Sequence, residues 1–199
     1  ALKGLGILIS YAYLILCFFG GLLFFVFGVL WAICLVMRIP YLKLLAHVKD
    51  SMILTFSTAS SEASLPQQIT ALEKFGCSKR IIGFVLPLGY SFNLDGSMMY
   101  MTFATGFIAQ AYGIPLSIEQ QIAMLLTLMI TSKGIAGVPR ASLVVIAGTL
   151  AQFDLPVEGL ALLIGVDPFL DMGRSATSVA GNAVATAVIS KLEGEYIES

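Results

Sequence analysis

Ser57-Thr58-Ala59-Ser60-Ser61-Glu62-Ala63-Ser64-Leu65-Pro66 breaks the middle of a moderately apolar run from Ser51 to Leu72. Basic residues flank that run: Arg38, Lys43, His47 and Lys49 before it, Lys74, Lys79 and Arg80 after it. Six of the eleven Lys and Arg residues lie in these two flanks. Short basic loops of an apolar chain stay on the cytoplasmic side of a bilayer, so both flanks are expected there. The segment between them must then leave and return. A helix needs roughly 20 residues to cross about 30 Å of hydrocarbon, and the interval is too short to cross twice. A re-entrant hairpin fits, with its Ser-rich tip at membrane depth. Irregular backbone survives at that depth only when buried in protein or lining a cavity.

Composition agrees with a lipid environment. Of 199 residues, 58% are hydrophobic and 12% charged, whereas soluble domains carry about 25% charged residues. A net charge of -1 gives no reason to expect a nucleic-acid partner. Cys17, Cys34 and Cys77 have neither metal-ligand spacing nor the pattern of a disulfide framework. The chain opens at Ala1 with no initiator Met and no basic stretch before its first apolar run. It therefore reads as lacking its natural N-terminus rather than as carrying a signal peptide. The only histidine, His47, lies in a basic loop. With no nucleophile and base expected within reach of each other, an enzyme is not expected.

The remaining apolar stretches complete the pattern. Ile7 to Met37 carries no charge and reads as one tilted transmembrane helix. Ile81 to Tyr112 is interrupted by Gly89-Tyr90-Ser91-Phe92-Asn93-Leu94-Asp95-Gly96-Ser97. The loop after it, Gly113 to Gln121, has no Lys or Arg and is expected outside. Ile122 to Leu150 is broken from Thr131 to Arg140, and Gln152 to Glu158 is again free of basic residues, which suggests a second re-entrant hairpin from the opposite side. Gly159 to Leu192 reads as a long last helix, followed by Glu193, Glu195 and Glu198. The expected fold is an all-α membrane protein whose transmembrane helices carry two oppositely oriented re-entrant hairpins, an inverted repeat as in secondary transporters. It divides into a transmembrane helix (1–40) and a transport core (41–199). The core comprises hairpin one (41–76), a broken helix (77–115), hairpin two (116–154), and a last helix with its acidic tail (155–199).

Two constellations carry chemistry. Asp167, Asp171, Arg174, Ser175, Ser178 and Asn182 follow one another at steps that keep them on one face of the last helix. Each Asp or Arg at mid-membrane costs about 2.5–3.5 kcal/mol on insertion scales, so three on one stripe must meet partners. Asp171 and Arg174 can pair internally at i,i+3; a polar groove for a charged solute accounts in addition for the Ser and Asn groups. Asn93-Leu94-Asp95-Gly96, poor helix formers inside an apolar helix, should unwind it. The freed carbonyls and the Asp95 carboxylate suit a small hard cation, or else form a locally bonded kink.

Ser60 to Pro66 (SSEASLP), Asn93 to Ser97 (NLDGS), Gly134 to Pro139 (GIAGVP) and Asp171 to Ser175 (DMGRS), in this order over essentially the whole chain, resemble the glutamate transporter family, the dicarboxylate/amino acid:cation symporters. The resemblance implies a glutamate-transporter-like transport domain running from the sixth helix to the eighth, with its scaffold helices absent from this chain. It also implies a multi-pass protein of the cell (plasma or inner) membrane, bacterial in source, trimeric through those scaffold helices, and moving by an elevator-type alternation. By the same resemblance Arg174 would pair with the substrate's distal carboxylate and Asp171 with its ammonium. Ser60, Ser61 and Gly137 would hold its α-carboxylate, with Ser97, Ser175 and Ser178 also at the ligand. Asn93, Asp95, Ser91, Ser132 and Asn182 match or neighbour positions that bind sodium in sodium-coupled members.

Several residues depart from the sodium-coupled pattern. Ser178 replaces an Asn, Asn182 replaces an Asp, and Ile135 replaces a Thr. Lys133 adds an ammonium beside a sodium position, and Glu62 adds a carboxylate at the first tip. These shift the expected coupling ion, H+ and/or Na+ with no other cofactor, toward protons, with Glu62 as a candidate carrier if burial raises its pKa. The expected substrate is an acidic amino acid, because Asp171 serves only an amine-bearing solute. A C4-dicarboxylate such as succinate is the alternative.

Overall fold

The computed structural model describes residues 2–134 and 141–197. The described chain is helical. It contains no β-strand, only an isolated bridge between Cys77 and Tyr196. Helix α1 (Leu2–Phe24) runs through a π-helical turn (Phe25–Leu30) into α2 (Trp31–Val36). Ile9–Val36, 28 residues, is long and apolar enough to cross a membrane. Tyr13, Leu16, Phe24, Phe27 and Val36 stay exposed along it. Such a row would be costly in water and costs nothing against hydrocarbon.

Helix α3 (Tyr41–Thr58) and helix α4 (Ser61–Phe75) form a hairpin that reverses at Ala59, where φ is 50°. Their antiparallel pairing is seen at both ends: Thr55 Oγ1 donates to Ser64 Oγ at 2.6 Å near the tip, and His47 meets the Phe75 ring edge-on near the base. The buried residues of α3, Tyr41, Leu44, Val48, Ser51 and Thr55, recur at steps of three and four. They turn one stripe toward α4 and α10. With 18 and 15 residues, the two arms are about 27 and 22 Å long at 1.5 Å per residue.

Helix α5 (Lys79–Phe92) and helix α6 (Asp95–Ala111) are separated only by Asn93 and Leu94, so the expected unwinding is confined to two residues. Helix α7 (Ile118–Thr131) starts at a capping box in which Ser117 and Gln120 satisfy each other's backbone amides. A 3₁₀ turn (Ser132–Gly134) follows it, and helix α8 (Ala141–Gln152) packs back on α7. The tip between them, including Gly137, lies outside the described residues.

The expected single helix from Gly159 is corrected. Val157–Leu160 is a 3₁₀ turn, α9 spans Ala161–Ile164, and the long helix α10 is Asp167–Leu192. Pro168 explains the break. Its ring would clash with the carbonyl of Ile164, four residues earlier, while in the first turn of α10 its missing N–H is not needed.

Two apolar cores stack end to end. One joins Val26, Leu30 and Cys34 to Leu44, Leu72, Phe75, Leu86 and Val184. The other joins Leu14, Phe18 and Leu22 to Tyr100, Leu128, Ile146, Leu150 and Leu170. Both long helices pass through both cores. On α10, Leu170 belongs to one core and Ala180 onward to the other. The polar residues from Asp171 to Ser178 therefore fall at the joint, packed by hydrocarbon above and below.

Candidate functional site

Helix α10 is apolar or small enough to be buried all round at this joint, and its polar side chains find partners on α6 and α8. Arg174, 9% exposed, sends Nη1 to Ser97 Oγ at 2.9 Å and to Ser142 Oγ at 2.5 Å. Its Nε lies 2.8 Å from Asp171 Oδ1, the internal i,i+3 pair considered from the sequence. The Nε–H does not point along that contact and has no hydrogen-bond acceptor among the described groups. At that distance the contact is held by charge. The guanidinium also lies 5.4 Å from the centre of the Tyr100 ring, within cation–π range. Tyr100 in turn donates to Asp167 Oδ1 at 2.5 Å.

Neighbouring groups fix this arrangement. Ser175 donates to Asp171 Oδ1 at 3.1 Å. Ser178 donates to the Arg174 carbonyl at 3.1 Å and accepts from the Gly96 amide at 3.3 Å. Gly96 has no side chain because its Cβ would run into the Arg174 backbone. The helix break thus lies directly on α10. Gly181 permits the same close approach further along α10, where a Cβ would strike the Asp95 carboxylate and crowd Asn93 Nδ2. Asn93 Nδ2 donates to Asn182 Oδ1 at 3.0 Å. Asn93, Asp95 and Asn182, expected as a cation site, are therefore neighbours. Lys133 reaches the same break and donates its ammonium hydrogen to the Phe92 carbonyl.

The other expected site residues make local hydrogen bonds. Ser91 donates within its own helix to Pro87 at 3.4 Å, and Ser132, fully buried, donates locally to Met129 at 3.1 Å. Ser60 and Ser61 sit at the first tip, where the Ser60 amide donates to Thr58 Oγ1 and the Ser61 carbonyl accepts from Ser64. The burial expected of Glu62 is corrected: it is exposed. Ser64 and Gln68 point into the protein, and Glu62 lies two residues, about 200°, from Ser64 around the helix.

Four contributors escaped the sequence reading as site residues: Tyr100, Ser142, Gln68 and Tyr90. Gln68, fully buried, donates to the Val179 carbonyl at 2.8 Å and accepts from Tyr90 Oη at 2.7 Å, fastening the first hairpin to α5 and α10. Tyr100 left a signal, lying three residues from the singled-out Ser97 and so on its face. Ser142 left none, since only the return of α8 over α6 brings it to Arg174.

Comparison with known proteins fits this geometry. The profile of the sodium:dicarboxylate symporter family matches residues 1–192. The chain belongs to the sodium:dicarboxylate symporter family. Over 195 residues it is 49% identical to a proton/sodium-glutamate symport protein of Bacillus caldotenax, covering 98% of this chain and 46% of that protein. It is 50% identical over 176 residues to a proton/glutamate-aspartate symporter of Escherichia coli (strain K12), covering 88% of this chain and 40% of that protein. It is 45% identical, also over 176 residues, to a C4-dicarboxylate transport protein of Bacillus subtilis (strain 168), covering 88% and 42%. The chain thus spans less than half the length of these symporter-family relatives.

Proposed function

We propose that the protein containing this chain is a cation-coupled symporter of acidic amino acids, glutamate or aspartate, and that the α6–α10 joint is its substrate site. The observation that carries this reading is the buried Arg174 guanidinium held 2.8 Å from the Asp171 carboxylate at the joint of the two cores, with Ser97 and Ser142 beside it. An acidic amino acid brings a carboxylate for the guanidinium and an ammonium for Asp171. It enters as a group of net charge -1 and leaves neither protein charge alone in a low-dielectric interior. Names of relatives support the same class of solute.

The rest of the reading follows from the same arrangement. Two hairpins of opposite orientation would enter the bilayer without crossing it, the first over 41–76 and the second over 116–154. The broken helix (77–115) would hold the coupling cation, H+ or Na+, at Asn93, Asp95 and Asn182, where carboxylate and carbonyl oxygens suit a hard ion. Ser60, Ser61 and Gly137 would meet the substrate when the two tips approach it. The core from 41 to 199 would move as a body against scaffold helices outside this chain, in a trimer in a bacterial inner membrane.

One observation favours a C4-dicarboxylate instead. Asp171 is already paired by Arg174, so it does not stand as a bare anion that rejects a doubly negative solute. Calorimetry on the full-length protein separates the two readings. Asp171→Asn is expected to weaken glutamate binding sharply while sparing succinate. Equal losses for both would make Asp171 a structural partner of Arg174 and sink the amino-acid reading.

A further inference from the structure

The backbone accounting at the α5–α6 break leaves one carbonyl in an unusual position. In a continuous helix the Gly96 amide would donate to the Phe92 carbonyl, four residues earlier. Here the Gly96 amide donates to Ser178 Oγ at 3.3 Å. The Phe92 carbonyl, last of α5, instead accepts from the ammonium of Lys133, which arrives from the 3₁₀ turn after α7. That turn packs against α5.

The electrostatics of this spot would attract a cation of any kind. A helix C-terminus carries a partial negative charge and unpaired carbonyls. The Asp95 carboxylate belongs to the first residue of α6, on the other side of the break. An ammonium tethered here supplies the positive charge that a bound monovalent cation would otherwise supply, and it donates a hydrogen bond to the freed oxygen that such a cation would coordinate. It also repels a free cation from the same oxygens.

We propose that Lys133 is a tethered cation at the helix break, taking the place of one free monovalent coupling ion and so setting how many such ions the transport cycle needs. This rests on the reading of the protein as a cation-coupled symporter. It assigns Lys133 to ion specificity rather than to substrate binding.

The test is a Na+ titration of radiolabelled glutamate uptake into proteoliposomes of the full-length protein, at a fixed proton gradient. Lys133→Met removes the charge and the donor, Lys133→Gln keeps a donor without charge, and Lys133→Arg keeps the charge. Met and Gln are expected to raise the Hill coefficient for Na+ by about one, as an added cation site would, and Arg to behave as wild type. Wild-type Na+ dependence in an active Met or Gln variant overturns the proposal, as does an acquired Na+ dependence in Arg. If Met does not fold, Gln and Arg decide alone. Thermal midpoints read against Na+ need no substrate: Gln should show a larger Na+-induced rise than wild type, and an equal rise counts against the proposal. Wild-type uptake of succinate in place of glutamate would overturn the substrate reading alone, and the same titration is then run with succinate.

Discussion

Arg174→Ala separates the substrate from the scaffold most sharply. In the structure the guanidinium holds Ser97 at 2.9 Å and Ser142 at 2.5 Å, and keeps Nε 2.8 Å from Asp171. Its side chain is 11% exposed and that of Asp171 16%, so solvent replaces little of what is lost. Truncating one partner of a buried charge pair costs about 2–5 kcal/mol in binding. At 1.4 kcal/mol per tenfold, that is about a 30- to 4,000-fold rise in the Kd for glutamate. The upper end is expected, because Asp171 would then face the incoming carboxylate without its counter-charge. A small neutral amino acid lacks the second carboxylate and should bind as well as before or better. The fold feels the change too. Breaking a buried pair costs about 3–5 kcal/mol, reduced here because Asp171 keeps Ser175 at 3.1 Å. Calorimetry with glutamate and with alanine on the detergent-solubilised full-length protein reads the first effect, and a thermal midpoint reads the second. A glutamate Kd within about threefold of wild type, in a variant that folds, would refute the placement of the substrate carboxylate at Arg174.

Two further outcomes follow from contacts away from that pair. Gln68→Leu leaves Tyr90 Oη without its acceptor and the Val179 carbonyl without its extra donor, which should lower stability by about 1–3 kcal/mol; an unchanged thermal midpoint would contradict the role of Gln68 as the fastener of the first hairpin. At the C-terminal end, Glu195 accepts from Arg80 and from Ser78, and the Ile197 amide donates to the Gly76 carbonyl at 3.0 Å. The hydrogen bond from Arg80, and then that from Ser78, hold the Glu195 carboxyl below its ordinary value. A lowered folded-state pKa means the contribution is complete above the ordinary Glu value of about 4.3 and lost as pH falls through the folded one. Amide protection factors at residues 195–197 should therefore fall only at acid pH, and Glu195→Gln should remove that dependence; protection in wild type that does not change with pH would rule the strap out.

Much of this architecture was legible because its signals are local. The charge-free run to Met37, the basic flanks of the first hairpin, and the Asn93-Leu94-Asp95-Gly96 interruption each act within a few residues. The helix ends at Phe92 and resumes at Asp95, since Asn, Asp and Gly weaken a helix wherever they stand. The stripe on α10 was equally legible, because Asp171, Arg174, Ser175 and Ser178 share a face by spacing alone. What stayed hidden depends on which helix lies opposite. Ser142 touches Arg174 only through the return of α8, and Gln68 finds Val179 across 111 residues of chain. The burial of Glu62 was misjudged for a related reason: charge and position in a tip do not tell which way a residue faces until the stripe of its helix is assigned. Pro168 was present to be read, and its clash with the carbonyl four residues back would have placed the start of α10 near Asp167.

The central claim is that a carboxylate-bearing amino acid is carried together with a cation. Uptake of radiolabelled glutamate and succinate into proteoliposomes of the full-length protein, each under an imposed proton gradient, an imposed Na+ gradient or neither, tests it most directly. The account predicts concentrative glutamate uptake that exceeds succinate uptake, driven by at least one of the two gradients and absent without either. Succinate accumulation in preference to glutamate, or glutamate movement that ignores both gradients, would contradict it.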